Sequence, residues 1–323
     1  MKVINLKLIH YLPDQPKIRF LQRSGTYLRE KLSNYQEGNM YLRFINSRDF
    51  LKILNSRLNA PDAVIIMAHG SNDSISKINN QGNLEPDIKC EHTPLFRGKF
   101  VFAFSCCTSN VLGAEAIKNR AIVYIGFNSL IGQYFEFDVS KYDNSDLNNG
   151  RIKQNLEKIF ENIYVNGFNY EFLFFLKECL TAKEFYINLK QQLEIVTASL
   201  LKMNVRELNK TFSTDFRDDE ESDILKIISM EFIQKFSEIN ERMTFSGDDN
   251  YIPWYFLSDQ SPEHLIELLE KAENINEDYY KYKHFVLSEI YRCLNDRIKY
   301  EQLRELLEPK LDSSEKSFFT SNM

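Results

Sequence analysis

Three short runs constrain the fold of this chain more than any other feature. Ala63-Val-Ile-Ile-Met-Ala68, Phe100-Val-Phe-Ala-Phe104 and Ala121-Ile-Val-Tyr-Ile125 are continuously apolar and rich in β-branched and aromatic residues. A strand with one wet face alternates apolar and polar residues, whereas a strand apolar throughout is buried on both faces, as in parallel sheets covered by helices. The long connections between the runs leave room for the crossovers that parallel strands need. Ahead of them the chain alternates, with Val3 to Tyr11 strand-like, Tyr27 to Leu32 helix-like, Met40 to Ile45 strand-like and Arg48 to Leu54 helix-like. The expected class is therefore α/β, a mostly parallel sheet flanked by helices.

From about Gly150 helical periods take over, in segments 152–165, 170–181, 182–202, 222–240, 262–272, 279–296 and 300–311, so the C-terminal half is expected to be helical. A chain of 323 residues is long enough for two domains. The polar stretch Ser213 to Glu221 reads as the clearest linker, with Phe245 to Asn250 as a second candidate. The organisation expected is 1–212 for the sheet with trailing helices and 213–323 for a helical domain. Residues 71–97, polar and rich in Asn, read as a long loop or a small hairpin excursion between the first two central strands.

Composition narrows the function classes. A net charge of −6 argues against a protein built to grip nucleic-acid phosphates. The five cysteines at 90, 106, 107, 179 and 293 are odd in number and show no C-x-x-C spacing, which fits a reducing compartment. The N-terminus does not read as a signal peptide, and no run of ~18 apolar residues reads as a membrane span. The expectation is a cytoplasmic protein that touches neither membrane nor nucleic acid. Cys90 and His92 are two ligand types without another pair, so no metal and no cofactor is expected. There is no Gly-rich phosphate loop and no G-x-S-x-G elbow, which disfavours nucleotide hydrolysis and serine hydrolysis. Trp254 reads as part of a packed aromatic cluster or as a partner anchor.

Chemistry concentrates at two strand ends. The first central run leads into His69-Gly70, and the second leads into Ser105-Cys-Cys-Thr-Ser-Asn110. If the two strands are parallel neighbours, their carboxyl ends emerge at one edge, where open α/β sheets build their sites. A thiolate is the nucleophile in such chemistry, and an imidazole can assist its formation and protonate a departing amine. Gly70, without a Cβ, lets its amide approach a substrate carbonyl, so the Gly70 N–H together with the Cys107 N–H is the expected oxyanion donor pair. Alone, a His-Gly turn or a cysteine pair has a blander structural explanation. Together, in this order and at strand ends, they point to a Cys-His dyad.

These motifs resemble the caspase-like superfamily of cysteine peptidases, which includes caspases, legumain, gingipain, clostripain, separase and bacterial CHAT-type domains. The stretch Leu95-Phe-Arg-Gly-Lys-Phe-Val-Phe-Ala-Phe-Ser-Cys-Cys-Thr-Ser-Asn110 is most similar to the CHAT form. That register makes Cys107 the nucleophile and puts Cys106 in the place of a small residue, with Cys106 as the alternative one position away. Asn110 stands where Gly is common. The resemblance implies a cysteine endopeptidase acting on a protein substrate, with His69 as general acid and base and no cofactor. Acidic pockets selecting Arg or Lys are frequent among such enzymes, and Asp138 is the residue assigned to that role here. The resemblance also implies that the helical half senses a regulatory protein or ligand, as in bacterial stress and antiphage (antiviral defence) systems. The alternative is a non-catalytic caspase-like interaction module.

Overall fold

A computed structural model describes residues 7–33, 41–58, 60–79, 81–137, 149–178, 180–252, 261–271, 276–313 and 315–316. The chain opens with β1 (Leu8–Tyr11), α1 (Gln22–Ser33), β2 (Tyr41–Phe44), α2 (Ser47–Ser56) and β3 (Ala63–Met67). Short strands β4 (His69–Gly70), β5 (Ser74–Ile78) and β6 (Leu84–Lys89) follow, then a 3-10 helix over Cys90–Phe96. Next come β7 (Phe100–Phe104), α3 (Leu112–Lys118) and β8 (Val123–Phe127). The remainder comprises α4 (Asn149–Lys177), α5 (Ala182–Leu200), α6 (Val205–Phe212), α7 (Glu221–Ile227), α8 (Ile233–Arg242), β9 (Met243–Gly247), α9 (Pro262–Lys271), α10 (Glu277–Cys293) and α11 (Arg297–Leu307).

The main sheet has the order β2-β1-β3-β7-β8-β9, parallel throughout except for β9, which pairs antiparallel with β8. The fold is thus the α/β class expected, a mostly parallel sheet flanked by helices with a helical C-terminal half. The three apolar runs supply its central strands, and every residue of β3, β7 and β8 is buried. Alternation divides their side chains between two layers. Ala63, Ile65, Met67, Phe100, Phe102 and Phe104 face the large cluster that contains α4, where the Phe102 and Phe168 rings lie 4.7 Å apart. Val64, Ile66, Val101 and Ala103 face Phe50 and Leu54 of α2 and Leu112 and Ala116 of α3.

Two features of the second half depart from the sequence reading. Residues 243–247, within reach of the second linker candidate, form β9 and complete the sheet. The two segments read as 152–165 and 170–181 are one helix, α4.

Strand order reverses between β1 and β3, so the carboxyl edge there is the topological switch point at which α/β sheets form crevices. The excursion between β3 and β7 is a separate antiparallel sheet of order β4-β5-β6 that starts two residues beyond β3. Among the described residues, no helix is long and apolar enough to cross a membrane.

Candidate active site

β3 and β7 run in register from Ala63↔Phe100 to Met67↔Phe104, and one further bond, Ala68 N–H to the Phe104 carbonyl at 3.2 Å, carries the pairing past the strand ends. The chain segments bearing His69 and Cys107 therefore leave the sheet side by side. Gly70 records how close they are. A Cβ on Gly70 would lie 2.2 Å from Ser105 Oγ, 2.7 Å from the Cys106 carbonyl oxygen and 2.7 Å from Thr108 Cγ2. No side chain fits there, so this glycine is required by close approach. The His69-Gly70 strand is packed directly on the turn that holds Cys107.

The orientation of the Gly70 amide follows from strand alternation. Ser71 N–H donates to the Ser74 carbonyl at 2.8 Å, so the adjacent pair Gly70↔Ile75 is the non-hydrogen-bonded one and the pair His69↔Ser76 beyond it is bonded. The Gly70 N–H thus faces away from β5.

Cys107 has φ of 61°, in the left-handed region that a residue with a Cβ seldom occupies. Such backbone persists only where its surroundings over-determine it. Here Cys107 N–H donates to the Ser129 carbonyl at 3.1 Å, Ser109 N–H to the Phe127 carbonyl at 3.1 Å and Asn110 N–H back to the Cys107 carbonyl at 3.2 Å. Thr108 Oγ1 donates to the Ser105 carbonyl at 3.1 Å, and Gly113 N–H to the Thr108 carbonyl at 2.8 Å. Asn110, in the place where the resemblance has Gly, uses its side-chain amide to bridge Asn72 Oδ1 and the Asn128 carbonyl, both at 2.9 Å. The turn is clamped between the loop after β4 and the loop after β8.

The Cys107 amide, paired with Gly70 as an oxyanion donor in the sequence reading, is engaged by the Ser129 carbonyl, because the positive φ turns this N–H toward the loop after β8.

The two thiols are in different settings. Cys106 Sγ accepts from the Ile131 N–H at 3.4 Å and packs against the core cluster. Cys107 is half-buried, and its thiol is pushed up from the ordinary cysteine range by burial, with the neighbouring Cys106 adding to the effect. Burial thus favours the protonated thiol over the thiolate at Cys107. Of the two, Cys107 is the one free of a tie to the core.

Asp138, the residue assigned to a specificity pocket, lies outside the described residues, as do Cys179 and Trp254. Cys90 and His92 are occupied locally, with Cys90 Sγ donating to the Asp73 carbonyl and His92 Nδ1 accepting from the Lys89 N–H at 3.0 Å. His10 is a core histidine, held neutral with its pKa lowered to about 3 by burial and by Arg43, and bonded to the Tyr41 hydroxyl at 2.8 Å. Sequence reading missed Asn72 and Ser129, which fix the Cys107 turn from outside. The Asn-Asp and Asn-Ser pairs at 72–73 and 128–129 are turn signals, but they do not reveal which turn they will clamp.

Comparison with protein-family models, with curated proteins and with solved structures gave no match.

Proposed function

We propose that the chain is a cysteine endopeptidase that hydrolyses a peptide bond in a protein substrate through Cys107 and His69. The observation that carries this reading is the packing of Gly70 on Ser105, Cys106 and Thr108, which joins the strand bearing His69 to the strained turn bearing Cys107. In the reaction, His69 takes the Cys107 proton as the sulfur attacks the scissile carbonyl, and the Gly70 N–H receives the oxyanion. The same imidazole then protonates the departing amine, and a water molecule, deprotonated by His69, hydrolyses the acyl-enzyme. A thiol raised by burial makes base assistance from His69 indispensable. The bond from Cys107 N–H to Ser129 describes a resting state and accords with activation by a regulatory protein or ligand, as in the bacterial defence systems of the resemblance.

Those same two features, the engaged amide and the raised thiol, favour the second reading, a non-catalytic interaction module. Terminal-peptide mass spectrometry of native cell extract separates the two. New protein N-termini are expected with the wild-type chain and absent with both Cys107→Ala and His69→Ala. Identical N-termini in all three samples would leave only the interaction module.

A further inference from the structure

β5 and β6 are not in simple register. Ile75 pairs with Ile88 and Ser76 pairs with Pro86, which leaves Asp87 as the extra residue of a bulge. Bulges re-aim a side chain and are enriched beside active sites. This one lies one strand away from the candidate base, since Ser76 pairs on its other side with His69.

The bulge turns the Asp87 carboxylate inward, where its side chain is 7% exposed. There it accepts hydrogen bonds from two elements and forms an ion pair with a third. The Tyr11 hydroxyl, at the carboxyl end of β1, donates to Oδ2. The Ser47 hydroxyl, at the first residue of α2, donates to Oδ1 at 2.5 Å, and Lys77 of β5 pairs with Oδ1 at 3.3 Å. Burial and the carboxylate together hold the Tyr11 phenol far above its usual range, so Tyr11 remains a donor. Both hydrogen-bond donors belong to the main sheet layer, and the carboxylate belongs to the small sheet. Asp87 is thus a polar anchor fixing the β4-β5-β6 sheet over the switch point between β1 and β3.

We propose that Asp87 is a positioning residue for His69. It holds the small sheet, and with it the strand bearing His69, against the edge from which the Cys107 turn emerges. The proposal rests on the Cys107–His69 reading. A carboxylate accepting from neutral and cationic donors is stronger than a neutral equivalent and sets geometry as well as energy. Losing it should let the small sheet shift on the main one, and a misplacement of about 1 Å costs on the order of 10²-fold in rate.

The test is the pH profile of Cys107 alkylation by iodoacetamide, read by mass spectrometry of the Cys107 peptide in the full chain. An imidazole that takes the thiol proton gives the profile a limb below the thiol's own titration. That limb is expected in the wild type, absent in His69→Ala, and absent or strongly reduced in Asp87→Ala and in the paired Tyr11→Phe/Ser47→Ala variant. The paired variant leaves Asp87 in place and removes only its donors outside the small sheet, so it serves if Asp87→Ala fails to fold. Asp87→Glu, which keeps the charge, should restore part of the limb, whereas a purely packing role would give no such rescue. A limb lost in His69→Ala but intact in the folded Asp87 and Tyr11/Ser47 variants overturns the positioning role alone. A wild-type profile without the limb overturns the pairing of Cys107 with His69, and the positioning role with it.

Discussion

Replacing Gly70 with Ala probes the contact on which the site depends. The new Cβ would sit 2.7 Å from the Cys106 carbonyl and from Thr108 Cγ2, and 2.2 Å from Ser105 Oγ, against an ordinary contact range of 3.4–4 Å. Ser105 Oγ belongs to a side chain that can rotate, but the carbonyl is backbone within a turn held by seven hydrogen bonds. Relief therefore needs the two strand ends to separate by roughly 0.7 Å at the carbonyl. Overpacking of this kind costs about 1–3 kcal/mol of stability. A displacement approaching 1 Å between base and nucleophile lowers activity by about 10²-fold. Urea unfolding gives the first quantity and the cleavage rate gives the second. Gly132→Ala is the control, because a Cβ there meets nothing within 4 Å, and it should change stability by less than about 0.5 kcal/mol. Adding Ser105→Ala to Gly70→Ala should recover only part of the loss, since the carbonyl and Thr108 clashes remain. If Gly70→Ala were as harmless as Gly132→Ala in both assays, the claimed contact between the His69 strand and the Cys107 turn would be wrong.

Other outcomes follow from the same structure. Lys99, fully buried, donates to the carbonyls of Arg57 at 2.7 Å, Leu58 at 3.3 Å and Ala60 at 2.8 Å beyond the end of α2, so Lys99→Met should cost about 2–3 kcal/mol in urea unfolding at pH 7. Burial lowers the Lys99 pKa to about 8 from a reference of 10.5, so between those values the unfolded chain holds a proton that the folded chain has released. Stability of the wild type relative to Lys99→Met should therefore rise with pH across that window, and a flat difference would contradict the assignment. Glu315 pairs with Lys281 at 2.9 Å in a buried setting and with Arg97 at 3.1 Å, so Glu315→Ala, which strands the Lys281 ammonium, should destabilise by about 3–5 kcal/mol by the same assay. In resting protein, iodoacetamide should modify exposed Cys293 first, then Cys107, and Cys106 last, and time-resolved peptide mapping checks that order.

How much of this was legible in the sequence depended on whether the signal was local. The strands β3 and β7 were readable because their apolar runs match burial on both faces, and the emergence of the His69 and Cys107 segments at one sheet edge followed from parallel pairing. β8 begins two residues later than its apolar run, because Ala121 and Ile122 are buried while still bonding to the end of α3 and to Lys99. β9 was not legible: Met243-Thr-Phe-Ser-Gly247 is a short edge strand after a long helix, with nothing local to distinguish it from a linker. α4 looked interrupted at Gly167, yet that glycine is mid-helix where a Cβ would approach Leu193 of α5 to 3.3 Å, a packing reason invisible without the partner. α6 carried a readable start in the capping box of Asn204 and Glu207, masked by the polar stretch that follows. At the site, residue types were legible but not their backbone. The left-handed turn at Cys107, the Ser129 carbonyl on its amide and the bulge at Asp87 all arise from tertiary contacts between segments far apart in the chain.

The most direct measurement of the central claim is kcat/KM for wild type, Cys107→Ala, His69→Ala and the double variant on one protein substrate identified by its new N-termini. If Cys107 and His69 act as a unit, the three variants should be equally inactive to within a few-fold, because removing either partner already removes the step. Multiplicative losses, or substantial cleavage remaining in His69→Ala, would contradict the dyad.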